Sequence, residues 1–252
     1  MRYLVNFVLQ SYHKKVVLRW PLALFFRKYN FLPYLCIMKV TDATSYIHAL
    51  IAQGEHVEQD FKYEISDARK IARTLSAFAN TQGGRLLIGV KDNGRIAGVR
   101  SEEEMYMIEA AAQLYCSPVV EVKMTTYRVD GHTILVADVP RATKRPIMAR
   151  DENNRLWAYV RVADENILAT PTHLQVWQQE CNAQPVVISF TERESLVLDL
   201  LSREEECSLS RICRMTHISR YDAQQLLARF VYWGIVAMRY DGHHFVFRNV
   251  GE

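Results

Sequence analysis

The sequence predicts an α+β chain that ends in a winged helix. Three observations carry this expectation. Between residues 38 and 178, helical apolar runs alternate with short strand-like runs. From residue 186 the order becomes three helices and a hairpin. An apolar fraction of 49% over 252 residues is enough for one large or two modest cores.

Taken in order, "DATSYIHALIAQG" reads as a short amphipathic helix between the cap Asp42 and the stop Gly54. "GEHVEQDFKYE" follows as an acidic strand. "SDARKIARTLSAFAN" reads as a helix capped by Ser66, with Ala68, Ile71, Ala72, Leu75, Phe78 and Ala79 on one face. "GGRLLIGV" is a buried strand that turns back at Asn93-Gly94, a hairpin dipeptide. The capping box Ser101-x-x-Glu104 opens another helix. Three strands follow: "VVEVKMTTYRV", "HTILVADVP" beyond Asp130-Gly131, and "RLWAYVRV". Residues 179–185 read as a linker. In the 186–252 segment, Thr191 and Ser219 cap the first and third helices, Gly234 stops the third, and Asp241-Gly242 joins two strands.

Charge is uneven along the chain. The net charge is +3, yet residues 1–37 hold six Lys/Arg and no acid, leaving 25 Lys/Arg against 28 acids elsewhere. The body therefore lacks the broad basic footprint of a duplex binder, and any nucleic-acid contact must come from a local patch. Residues 1–37 read as an extension or a mis-assigned start. Their apolar "WPLALFF" is far shorter than a bilayer span and no cleavage site follows it. No membrane association is expected. The five scattered cysteines (Cys36, Cys116, Cys181, Cys207, Cys213) lack CxxC spacing, which fits a reducing cytoplasm better than a disulfide framework or a zinc site.

The acidic strand raises the chemical question. Glu55, Glu58 and Asp60 lie within six residues, and carboxylates are the natural ligands of a divalent ion that activates water for phosphodiester cleavage. Simple alternation puts Glu58 and Asp60 on one face and Glu55 on the other unless a turn redirects the chain. The plain alternative is an exposed edge strand kept soluble by charge. Gly83-Gly84 lacks the spacing of a phosphate loop and reads as a tight turn. Lys62, Arg85, Arg145, Arg150, Arg155 and Arg161 are candidate phosphate contacts, while Trp157 and Tyr159 either stack on bases or, the favoured reading, fill the sheet. His56 reads as a hydrogen-bonding neighbour of the acids. In the last helix Ala223, Leu226, Leu227, Phe230 and Val231 face the core. That leaves Arg220, Tyr221, Gln224 and Gln225, with Arg239 on the hairpin, to meet DNA. Against this, residues 186–252 hold eight arginines, nine acids and no lysine.

"GEHVEQDFK", "SAFANTQGGRLLIGVKDNGRIAGV" and "YVRVADENILATPTHL" together resemble the Schlafen-type AlbA-like domain, over about residues 52–178. In bacteria that domain is often joined to a helix-turn-helix and labelled a transcriptional regulator. The resemblance implies an AlbA-like mixed α/β fold. It also implies an acidic triad at Glu55, Asp60 and Asp92 that would be catalytic in a Schlafen-type, metal-dependent endoribonuclease and would take Mg²⁺ or Mn²⁺. The sequence departs from the family pattern at His56, Asp60 and Lys91, where serine, glutamate and aspartate are usual. Three functions follow. The first is a DNA-binding regulator, acting as a homodimer because one lobe supplies half of a two-lobed groove. The others are an endoribonuclease acting on structured RNA such as tRNA, and a protein-interaction module.

Overall fold

The computed structural model describes residues 42–181 and 191–250. The expectation for residues 1–37, and most of that for the linker, lie outside them. The elements are helix α1 (Ala43–Gln53), strand β1 (Gln59–Lys62), α2 (Ala68–Asn80), β2 (Gly84–Ile88) and α3 (Glu103–Ala110), which runs on as a π turn through Tyr115. Strands β3 (Cys116–Ser117), β4 (Lys123–Val129), β5 (His132–Val139), β6 (Met148–Arg150), β7 (Leu156–Val162) and β8 (Glu165–Leu168) follow, and then α4 (Pro171–Cys181). The C-terminal segment adds α5 (Glu192–Arg203), β9 (Cys207–Ser208), α6 (Leu209–Thr216), α7 (Arg220–Tyr232), β10 (Val236–Tyr240) and β11 (Phe245–Asn249). The mixed α and β class is as the sequence predicts.

Two four-stranded sheets enclose α2. The first has the order β1-β2-β5-β4, with β1 parallel to β2; the second has the order β3-β6-β7-β8. One face of α2 is apolar, as its periodicity predicts, but every residue from Thr74 to Asn80 is buried. The reason is that both sides of the helix are covered: Leu75 and Phe78 share a core with Leu86, Leu135 and Ala137 of one sheet, with Ala149 of the other and with Ile147 just before its strand β6. The buried residues Thr74, Ser76 and Asn80 therefore need partners, and they have them. Asn80 donates to the carbonyls of Ile147 (2.7 Å) and Tyr159 (2.9 Å) and accepts from the Ile147 N–H (2.8 Å), which pins α2 to β6 and β7. Ser76 donates to the Ile147 carbonyl at 2.8 Å.

The Gly83-Gly84 pair serves this packing. Gly83 has φ 83°, and a Cβ there would meet the Val139 carbonyl at 2.8 Å; at Gly84 it would enter the Phe78 ring. Helix α1 covers the other face of the first sheet through Ile47 and Leu50, and α4 covers the outer face of the second through Trp177.

The sequence reading differs from the structure at several points. Asp67 caps α2 instead of Ser66, because its carboxylate reaches the Arg69 N–H at 2.8 Å. The Asn93-Gly94 turn closes only an isolated bridge, Val90 to Ile96; the strand paired antiparallel to β2 is β5. The cap of α3 is Glu102 and not Ser101, and it makes no side-chain cap bond; the Ser101 hydroxyl accepts from the Glu103 N–H and donates to Glu104, which accepts from the Arg100 N–H. Short strands β6 and β8 and helix α4 were not anticipated, and α4 runs on to Cys181, inside the predicted linker.

In the C-terminal segment, Val197, Leu201, Ile212, Leu227, Phe230 and Phe247 form a core of their own. The sheet order is β10-β11-β9. The capping box Thr191–Glu194 and the cap Ser219 are where the sequence puts them. This segment also packs on the preceding one. Helix α7 lies against α4, and Phe245 of β11 meets His173 edge-on at 4.6 Å beside Trp177. Burial lowers His173 to about 4, so its ring enters this seam uncharged at neutral pH.

Candidate functional site

The acidic stretch is not a solvated edge. Strand β1 is at the end of its sheet, yet Gln59, Asp60 and Phe61 are buried, and Asp60 is only 4% exposed. Gly54, at φ 71°, ends α1, and the chain then turns tightly, with His56 and Gln59 exchanging both backbone hydrogen bonds at 2.9 and 3.1 Å. That turn defeats simple alternation and swings Glu55 back along β1. Its carboxylate accepts from the Phe61 N–H at 2.8 Å and stands beside Asp60. His56 caps the turn by accepting from Glu58 N–H at 3.2 Å.

Asp60 is held between two cations. Lys62 Nζ lies 2.8 Å from one carboxylate oxygen and Arg161 Nη2 lies 3.0 Å from the other. All three nitrogens of Arg161 are engaged inside the protein. Arg161 also donates to the carbonyls of Gln59 (3.3 Å) and His56 (3.4 Å) and to Asn166 (3.0 Å), and its plane covers the Phe78 ring. Its side chain is 1% exposed. The expectation that Arg161 contacts phosphate therefore gives way to a structural role as counter-charge to Asp60. Asn166, the cross-strand partner of Arg161 in the β7–β8 pair, fixes the guanidinium and donates to Thr74, 92 residues away in the chain.

Glu55 behaves differently. Burial, with an added contribution from the neighbouring Asp60 carboxylate, holds it above its ordinary range, against the opposing pull of the Phe61 N–H and Lys62. Lys62 meets the second Asp60 oxygen as an ion pair and not as a directed hydrogen bond. Asp92 stands exposed in the turn after β2. Among the described residues no group of three or more His, Cys, Asp or Glu is placed to hold a metal ion. With Asp60 paired to two cations and no cluster of three ligands formed around it among the described residues, the residues as arranged do not fit Mg²⁺ or Mn²⁺.

The other sequence-selected cations are divided between structural and open positions. Arg145 donates to the Asn80 carbonyl and pairs with Glu180 over the Trp177 ring, so it braces α4. Arg150 is drawn to Asn154 in its own hairpin, Arg85 is half-buried opposite Asp138, and Arg155 is exposed. In the C-terminal segment Arg220 and Tyr221 are exposed, Arg220 donating to Ser210 at 3.3 Å. Gln224 and Gln225 are half-buried, Gln224 lining a recess with Thr170, Pro171 and Ser208. Arg239 pairs with Glu206 at 3.1 Å. Trp157 is more open than a sheet-filling role implies, at 40% exposure, and donates to Asp151 at 2.9 Å. Sequence reasoning missed Tyr63 and Arg100, whose contact joins the end of β1 to the loop after β2. An aromatic directly after the acidic run was the available signal.

Residues 55–170 match the family described as Schlafen, AlbA_2, so this region of the chain is a Schlafen AlbA_2 domain. That family points to a nucleic-acid-related function. Among solved structures the chain is similar to the DIP2311 protein from Corynebacterium diphtheriae, at 22% identity and TM-score 0.41 over 62% of this chain and 37% of that one. It is also similar to the N-terminal domain of a RecG-related protein from Nitrosomonas europaea, at 23% identity and TM-score 0.36, covering 60% and 97%. No curated protein matches the chain. Among the described residues no helix is long and apolar enough to cross a membrane.

Proposed function

We propose that the chain is a nucleic-acid-binding protein that holds its target without cutting it, as a DNA-binding regulator. In this reading α5, α6, α7 and the β10–β11 hairpin form a winged helix, with α7 as its recognition helix. The chain works as a homodimer in the cytoplasm. The observation that carries the reading is the state of Asp60: its charge is consumed by Lys62 and Arg161. Hydrolysis of a phosphodiester needs a metal or an equivalent device at that position, whereas binding does not. Because α4 packs against α7 and Ala228 is fully buried, the open part of α7 is its first turn. Duplex contact there would rest on Arg220 and Tyr221 more than on Gln224.

The test is incubation of the full chain with duplex DNA and with tRNA, each with and without Mn²⁺, followed for binding and for cleavage in the same samples. Salt-sensitive duplex binding with intact substrates is expected. Replacing Arg220 by Ala should weaken it by about 1–3 kcal/mol if a base edge is met and by less at a phosphate. Cleavage of tRNA that disappears in Glu55→Ala would replace this reading with the endoribonuclease. No binding to either polymer would leave the protein-interaction module. Light scattering should return about twice the monomer mass, and a monomer at all concentrations would remove the homodimer.

A further inference from the structure

The loop after β2 carries a feature that the Asp60 pocket does not use. Gly89 and Val90 N–H both donate to the Lys62 carbonyl (2.8 and 3.3 Å), and Ala97 and Gly98 N–H both donate to the Gly89 carbonyl (2.8 and 2.9 Å). Gly89 is at φ 92°, and a Cβ there would meet the Gly98 backbone at 2.8 Å. The loop is thus cinched at its base, directly beside the end of β1, and only glycine permits it.

This closure delivers two cations to one ring. Lys91 Nζ lies 5.0 Å from the centre of the Tyr63 ring, and the Arg100 guanidinium lies 5.4 Å from the same centre while donating to the Tyr63 hydroxyl. Both side chains are exposed. Arg100 has a loose ion pair with Glu64 at 3.8 Å; among the described residues Lys91 has none. Asp92 is the other acid in the turn, next to Lys91 in sequence and exposed.

We infer that Tyr63, Lys91 and Arg100 form a phosphate-binding patch for the backbone of a nucleic acid. An aromatic face attracts a cation but does not neutralise it, so two cations on one ring still repel each other. A bridging anion removes that repulsion. A phosphodiester suits it best, because the guanidinium can hold two of its oxygens while the ammonium adds a point charge. Lys91 stands where the resemblance leads one to expect an acid, so the same substitution that departs from a metal-binding pattern contributes a phosphate ligand. The ring serves as the post that holds both cations. This inference rests on the nucleic-acid reading above and adds to it the place where the backbone sits.

The experiment measures fluorescence anisotropy of labelled single-stranded DNA, RNA of the same sequence, and duplex DNA with the full chain across a series of salt concentrations. Lys91→Glu/Arg100→Glu should weaken binding at least about tenfold at low salt, and make the log–log salt dependence shallower by roughly two, one for each lost phosphate contact. Tyr63→Leu, which keeps both charges but removes their post, should weaken it about two- to fivefold. Matched thermal melts establish that the variants fold. Equal losses on DNA and RNA support a contact to phosphate alone, and a loss confined to one polymer supports the patch and names its source. If the wild type binds and the double variant binds equally well with an unchanged salt dependence, the patch is wrong and the binding function stands. If the wild type binds none of the three, both fall.

Discussion

Arg161 and Lys91 are both cations close to the acidic stretch, and they do opposite work. Arg161 is buried under Phe78 with its nitrogens committed to Asp60, Asn166 and two carbonyls. Lys91 is exposed and meets only an aromatic face among the described residues. The comparison teaches that a charge in a binding domain has to be priced by its surroundings. The buried cation is spent on the fold; the open one remains available to a ligand.

That contrast can be broken in order of expected size. Arg161→Met leaves Asp60 buried with only the half-exposed Lys62, and should cost about 3–5 kcal/mol in urea unfolding of the full chain. A loss under about 1 kcal/mol would mean that the pair is not the anchor described. Asn80→Ala removes the pin between α2 and strands β6 and β7, stranding the Ile147 N–H and taking one donor from the Ile147 and Tyr159 carbonyls, at about 2–3 kcal/mol. Lys62→Met should cost about 1 kcal/mol or less, because its ammonium is partly solvated.

Glu55 sharpens the comparison through pH. Its carboxyl titrates higher in the folded chain than in the unfolded one, so the folded state holds a proton that the unfolded state has released. That contribution to stability is present in acid and is lost as pH rises from the ordinary carboxylate range through the folded value. Glu55→Gln keeps the acceptor for Phe61 N–H without this loss. It should therefore gain on wild type as the pH is raised from 4 to 7. Chemical melts at the two pH values check it, and a variant that loses ground as pH rises reverses the sign. Lys91→Ala and Arg100→Ala should alter stability by no more than about 0.5 kcal/mol, since both are exposed.

The helices with strong caps and regular apolar faces were legible from the residues alone: α2 nearly to its ends, α5 and α7 to the cap. So were β2, β5 and β7, whose apolar runs fill both faces or alternate. Helix α4 escaped because "PTHLQVWQQEC" has no regular apolar face, and only contact with Val160 and Phe245 gives it one. Strands β6 and β8 are too short to show a period. In the site, the sequence identified Glu55 and Asp60 as neighbours worth attention, and a turn at Gly54 was named as what would bring them together. The role of Arg161 was hidden, because its partner lies 101 residues away and no local pattern separates a buried guanidinium from a solvated one. Asp92 looked like a third member of the set only through the family resemblance, and in the structure it stands exposed on its turn.

The seam made by α4 determines how the gene can be cut. A boundary placed at residue 178, where the sequence suggested one, falls within the last turn of α4 and removes Phe245 and α7 from its other side. The shortened product would present Trp177, Val176 and the half-buried His173 to water, which is an adhesive surface that the intact chain never shows. Clumping of such a fragment would be a property of the scissors and not of the protein, and the two halves are best studied joined.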